Sequence, residues 1–197
     1  MSATLILASA SPRRRDLLAA RGVRFEVVPS SVEETPHPGE PPEAFARRIA
    51  REKACDVAQQ RPGKCVLAAD TVVIVGANLF GKPVDRADAR RMLRALSGRA
   101  HRVLTAVVLV RPDGRIAETA VESEVEFRQL TAGDIEAYIE SGEPFDKAGA
   151  YAIQGLAREF VTDVRGSYSN VIGLPMDEVL ELLHHHCLPA TAAGTTP

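Results

Sequence analysis

Val66-Leu67-Ala68-Ala69-Asp70-Thr71-Val72-Val73-Ile74-Val75 is the most apolar run in the chain, and it carries a carboxylate near its centre. Its β-branched residues and continuous apolar character predict a central strand buried on both faces. The rest of the chain must therefore cover it. A buried Asp70 is costly unless it meets a cation, a metal or hydrogen-bond donors. Two readings follow. Asp70 belongs to a functional cleft, where perturbed acids concentrate, or it sits in a local bulge bonded to backbone N–H groups. Gly76-Ala77-Asn78 reads as a hairpin turn that returns through Leu79-Phe80 to Gly81-Lys82-Pro83. That return could bring Lys82 beside Asp70.

The opening stretch Leu5-Ile6-Leu7-Ala8 predicts another buried strand. Ser11 is a suitable N-cap, and Pro12 falls at the first helical position, where its missing N–H costs nothing. The helix continues through Leu17 and Leu18 and stops at Gly22. Arg13, Arg14 and Arg15 crowd its first turn, where the helix dipole disfavours cations by about 0.3–1 kcal/mol each. Free N–H groups, the Ser9 and Ser11 hydroxyls and guanidinium forks together suit a polyphosphate. The alternative is a solvated basic turn.

Val23 to Pro29 reads as a strand that leads past Glu33-Glu34 into a proline-rich loop. Pro41-Pro42-Glu43 then starts a helix that runs to about Gln60, with Ala46, Ile49, Ala50 and Val57 on one stripe. Lys53 shares that stripe, so it either snorkels outward or reaches into a cleft. Asp85 caps a helix to Leu96. Val103–Val110 and Ile116–Phe127 are strands joined by the turn Pro112-Asp113-Gly114. Thr131 and Asp134 form a capping box for the helix Ala132–Ser141. The loop from Gly142 to Gly155 carries Tyr151 and Gln154, residues suited to polar recognition. Phe160–Val164 is a short strand, Gly166–Asn170 a polar loop, and Met176 to about His185 the last helix. His184-His185-His186 point in different directions on a helix and so form a solvated helix end, not a metal site. The residues from Leu188 onward read as a disordered tail.

Composition excludes some classes. The 197 residues are 45% hydrophobic and 25% charged, with a net charge of −2, which argues against a broad nucleic-acid or membrane surface. An apolar run of about 18 residues and a signal-peptide pattern are both absent. Cys55, Cys65 and Cys187 are widely spaced and odd in number, so reduced thiols in a cytoplasmic protein are expected. The cations Arg13, Arg14, Lys53 and Lys82 with the acids Glu34 and Asp70 are what phosphoanhydride hydrolysis needs. A Walker-type P-loop is missing.

Seven motifs in order carry a family resemblance: Ser9-Ala10-Ser11-Pro12-Arg13-Arg14, Glu33-Glu34, Arg51-Glu52-Lys53-Ala54, Ala69-Asp70-Thr71, Gly81-Lys82-Pro83, Asp146-Lys147-Ala148-Gly149-Ala150-Tyr151 with Ile153-Gln154-Gly155, and Gly166-Ser167-Tyr168 with Val171-Ile172-Gly173-Leu174-Pro175. From Leu5 to about Leu183 the chain resembles the Maf family of nucleoside triphosphate pyrophosphatases. The resemblance implies a mixed, twisted α/β sheet with flanking helices, in two lobes around a deep cleft, as in inosine triphosphate pyrophosphatases. It implies a single domain over residues 1–187 and a homodimer in the cytoplasm. The implied reaction is NTP plus water giving NMP plus pyrophosphate with Mg2+, Mn2+ or Co2+, which limits incorporation of unwanted nucleotides. Asp70 matches the proton acceptor or a metal ligand, with Glu34 sharing the ion. Ser9, Arg14, Lys53 and Lys82 match residues around the phosphates.

Arg13, Thr71 and Gln154 match the branch of this family that acts on dTTP and UTP; Trp, Gln and Glu stand there in the 7-methyl-GTP branch. Competing readings are a pyrophosphatase for 7-methyl-GTP or other modified nucleotides and a nucleotide-binding regulator of septum formation. An Asp70 base flanked by cations and a metal is expected to have a depressed pKa. An amide at Gln154 both donates and accepts, which suits the imide edge of thymine or uracil. Gln154→Glu should therefore weaken dTTP and UTP turnover relative to 7-methyl-GTP, measured as released pyrophosphate; an unchanged ratio removes the assignment.

Overall fold

A computed structural model describes residues 5–187; the expected tail from Leu188 lies outside them. The strands are β1 (Leu5–Leu7), β2 (Phe25–Val27), β3 (Cys65–Val75), β4 (Asn78–Phe80), β5 (Ala100–Val110), β6 (Ile116–Phe127) and β7 (Val161–Arg165). The helices are α1 (Pro12–Ala20), α2 (Pro42–Gln60), α3 (Arg86–Leu96), α4 (Ala132–Glu140), α5 (Tyr168–Ile172) and α6 (Met176–His186). All seven strands form one mixed sheet in the order β2-β1-β3-β5-β6-β7, with β4 paired to β3. β1 runs parallel to β2 and β3, whereas β3, β5, β6 and β7 pair antiparallel.

Strand alternation decides which side chains meet which layer. Val66, Ala68, Val72 and Ile74 of β3 pack in one cluster with Phe45, Ile49, Ala50 and Val57 of α2. Cys65, Leu67 and Ala69 face the other way, onto Leu18 of α1 and Met176, Val179 and Leu183 of α6. A third cluster joins Val73, Val103, Val125 and Phe127 to α3, α4 and the 3-10 turns of residues 143–160. Asp70 has even parity, so it lies on the α2 side. The β3–β5 register runs unbroken through Ala69, Asp70 and Thr71, and no bulge accounts for the acid.

The caps at Ser11, Asp85 and Thr131 all form, the last with both bonds of its capping box. Other expectations are corrected. Gly166–Asn170 is not simply a loop: Ser167 caps α5, whose Asn170 side chain is wholly buried and donates to Val103 O and Ser123 Oγ. The expectation of three reduced thiols also fails. α6 returns along the sheet and ends over the start of β3, where Cys65 and Cys187 are joined in a disulfide across 122 residues of sequence, with Cα atoms 6.2 Å apart. Cys55 is free. Among the described residues no helix is long and apolar enough to cross a membrane.

His101 on β5 is 2% exposed. Its ring stands edge-on to Phe127 and Tyr151, and Nε2 lies 2.8 Å from the Tyr151 hydroxyl. Burial pushes its pKa down to about 4. The unfolded chain therefore takes up a proton at higher pH than the native one, so the contribution is present above the ordinary value of 6.5 and lost toward pH 4. That loss is about 3 kcal/mol. Urea unfolding across this range should show it, and His101→Gln should remove that part of the pH dependence.

Candidate active site

β1 stops at Leu7, and its pairing to β3 ends at Leu67 with the Ala8 N–H donating to Leu67 O. β3 runs on to Val75. The middle of β3 is thus left with an open edge at the carboxyl end of β1, where ligands bind in α/β sheets. A cleft with about 450 Å3 of water-accessible space lies there. Its walls include Ser9, Arg13, Arg14, Glu34, Lys53, Asp70, Thr71, Lys82 and Gln154. The structure therefore brings together every site residue expected from sequence.

Lys53 reaches into the cleft and does not snorkel outward. It comes from the buried stripe of α2, is 7% exposed, and holds its ammonium 2.8 Å from Asp70 Oδ1 and 2.6 Å from Glu34 Oε1. Lys82, exposed on its loop, pairs with the other Glu34 oxygen at 3.2 Å. Asp70 thus finds its cation in Lys53, and Lys82 serves Glu34. Burial acts to raise the Glu34 carboxyl, but the two ammonium groups outweigh it and hold it below its ordinary value. Asp70 goes the other way. It is 6% exposed, and burial raises its carboxyl despite Lys53 and Arg14. The expected depression of Asp70 is corrected by this desolvation.

On the opposite side of β3, Arg14 is fixed by three acceptors. Nε donates to Gly173 O at 2.8 Å, NH1 to Ser9 Oγ at 3.3 Å and NH2 to Thr71 Oγ1 at 3.0 Å. The Ser9 hydroxyl also accepts the Ser11 N–H. The Thr71 hydroxyl lies 2.9 Å from that of Thr105, which bonds on to Asn170 O. Thr71 is thus tied into the wall and touches the cleft largely through Arg14. Arg13 spans the cleft to Asp146 at 3.6 Å, an exposed pair of small energetic value. Arg15 pairs with its neighbour Asp16 at the surface.

Gln154 sits exposed on the far wall. The loop that carries it folds tightly. Gly149 adopts φ 68°, and a Cβ there would strike Val73; its N–H donates to Gly81 O, which ties this loop to the one bearing Lys82. Ala150 also has positive φ, 59°, an uncommon state for a residue with a Cβ. Phe145, Lys147 and Ile153 line the cleft from the Gly142–Gly155 loop that the sequence already marked for recognition, whereas sequence reasoning missed Ser30, Val32 and Val103. It also took Tyr151 for a recognition residue, whereas that hydroxyl is buried against His101. Ser30, Val32 and Val103 are small or apolar residues whose spacing gives no signal of a cleft.

Among the described residues no three His, Cys, Asp or Glu side chains converge as a metal cage. The Glu34 and Asp70 carboxylates, close enough to share one ammonium, match the one or two protein carboxylates that hold Mg2+-like ions together with substrate phosphates.

The family model described as Maf-like protein matches residues 4–186. The dTTP/UTP pyrophosphatase of Myxococcus xanthus is 54% identical over 186 residues, covering 94% of this chain and 93% of that protein. The dTTP/UTP pyrophosphatase of Geobacter sulfurreducens is 50% identical over 179 residues, covering 90% and 93%. In fold, the chain is similar to the Ham1 protein of Staphylococcus aureus, with a TM-score of 0.53 at 15% identity over 92% of this chain and 98% of that one.

In the metal-free protein, a carboxyl 13C titration should place Asp70 above its ordinary 3.8. Glu34→Gln should lower it, because a like charge is removed and Lys53 then serves Asp70 alone. Lys53→Met should raise it further.

Proposed function

The chain belongs to the Maf family, and from that premise we propose that it hydrolyses dTTP and UTP to the monophosphate and pyrophosphate. The observation that carries the mechanism is the buried Asp70–Lys53 pair, joined by the exposed Glu34, on the floor of a cation-walled cleft. Water attacks the α-phosphorus, the α–β anhydride bond breaks, and pyrophosphate leaves with that bond's electron pair. Asp70 accepts the proton from the attacking water. Its raised carboxyl makes it a better base than an ordinary aspartate, while Lys53 keeps the ionised form accessible. Arg14, Ser9, Lys53 and Lys82 face the polyphosphate and offset its charge. Arg14 is pre-set for this by its three acceptors and need not be ordered on binding.

Where Asp70 acts instead as a metal ligand, it and Glu34 would hold a divalent cation, Mg2+, Mn2+ or Co2+, which would supply charge neutralisation at the phosphate oxygens. Arg13, Thr71 and Gln154 set base preference, Gln154 directly and Thr71 through Arg14. The same reading makes the protein a cytoplasmic homodimer with one domain over residues 1–187. Its partners are nucleotides, not nucleic acid or membrane, in keeping with the net charge of −2.

Pyrophosphate release should be fastest from dTTP and UTP in a panel that includes CTP and 7-methyl-GTP, with Mg2+ or Mn2+ present. Asp70→Asn should lower kcat by about 10³-fold. Activity confined to 7-methyl-GTP, or an Asp70→Asn enzyme with full activity, would falsify this reading.

A further inference from the structure

Gln154 stands at the tip of a turn closed by the Gly155 N–H donating to Ala152 O. Both ends of that turn are held by one carboxylate. Glu143 Oε2 accepts the Leu156 N–H at 3.1 Å, beyond the tip. Glu143 Oε1 accepts the Tyr138 hydroxyl at 2.8 Å, and that hydroxyl accepts the Ala152 N–H at 3.2 Å, before the tip. The space beside Gly155 is filled by the same group, since a Cβ there would collide with the Glu143 carboxylate. Tyr138 is itself immobilised, 3% exposed on α4 and packed edge-on to Phe160 at 5.2 Å. Glu143 is held as well: its N–H donates to Ser141 Oγ and its carbonyl accepts the Lys147 ammonium at 2.7 Å. Little in this arrangement is a phosphate site, because it lies behind the wall and not on it.

We propose that Glu143 and Tyr138 are positioning residues that set pyrimidine preference by fixing the turn that presents Gln154. The inference rests on the reading of Gln154 as the base-facing group of a dTTP/UTP pyrophosphatase. A donor–acceptor chain that runs from the Ala152 N–H through a tyrosine hydroxyl to a carboxylate strengthens each of its bonds. It leaves the exposed Gln154 amide as the end of a rigid support, so its angle toward a base is set before substrate arrives. The phosphates, gripped from the other wall by Arg14 and Lys53, do not depend on it. Loss of the clamp therefore acts on base recognition and spares the chemical step.

The test compares wild type with Glu143→Ala, Glu143→Gln, Tyr138→Phe and Gly155→Ala, with kcat and KM measured for dTTP, UTP and CTP. Glu143→Ala should raise KM for dTTP and UTP about tenfold, the scale of a lost hydrogen bond to a charged group, with a much smaller change in kcat. The dTTP-to-CTP preference should narrow with it. Glu143→Gln, which keeps an acceptor, should recover part of the loss, and Tyr138→Phe should fall between the two. Gly155→Ala should resemble Glu143→Ala. Added to Glu143→Ala it should cost nothing more, because the carboxylate it would strike is gone. Additive effects in that double variant, or a fall in kcat with KM and base ratios unchanged, overturn the proposal. Hydrogen exchange at the Ala152 and Leu156 amides reports the clamp without substrate and should quicken in Glu143→Ala; protection equal to wild type also overturns it. A wild-type enzyme inactive on dTTP and UTP whose amides nonetheless quicken in Glu143→Ala overturns the functional reading and leaves only the clamp's structural part.

Discussion

The Lys53–Asp70 pair is the interaction on which the site depends. Two charges under 10% exposed face each other in the middle of the sheet. Taking both out of water is expensive, and their attraction offsets that cost only when the geometry is good. Glu34 supplies a third charge on the cleft side, so one ammonium is shared by two carboxylates. Removing Lys53 alone would leave Asp70 buried and unpaired, at a cost of about 3–5 kcal/mol. A well-packed apolar pair would stabilise the fold at least as well. On the proposed function the reason to keep the charges is chemical: burial raises the Asp70 carboxyl and so favours the proton-accepting role proposed for it.

The sheet supplies the geometry for this pair. β3 must be buried on both faces, yet it needs an open edge to admit substrate. β1 ends four residues before Thr71's level while β3 runs on, and the chain turns from β1 into α1 at the gap. That turn carries Ser9, Ser11 and Arg14. Arg14 then closes one side by bonding to Gly173, and the buried Asn170 ties α5 to β5 and β6 behind it. The Asp70–Lys53–Glu34 cluster and the Arg14 guanidinium thus lie on opposite faces of one strand and meet at its edge. The third hydrophobic cluster supports the far wall, where Tyr138, Phe160 and Phe127 form a chain of edge-on rings.

Much of this was legible in the residues themselves. The caps at Ser11, Asp85 and Thr131 are short-range hydrogen bonds that the spacing of residues encodes directly. The stripe of α2 put Lys53 on a buried face, and the apolar run around Asp70 made that acid buried. The motifs carried the family. Less legible was the segment from Gly142 to Phe160, whose mixed polar and apolar residues have no period and which folds into 3-10 turns. Gly149 and Ala150, both at positive φ, mark how far local preference yields there to packing against Val73.

The sequence by itself determined the element types, the buried acid and the basic turn, because each follows from propensity and spacing within a few residues. Tertiary structure alone decided the partners. Lys53 took Asp70 and Lys82 took Glu34; Arg14 found a carbonyl 159 residues away; Cys65 met Cys187. It also decided the sign of the Asp70 shift, since desolvation depends on everything packed around the strand and the neighbouring cations are only part of that. The basic turn that reads locally as either an anion site or a solvated surface is, in the fold, one wall of the cleft.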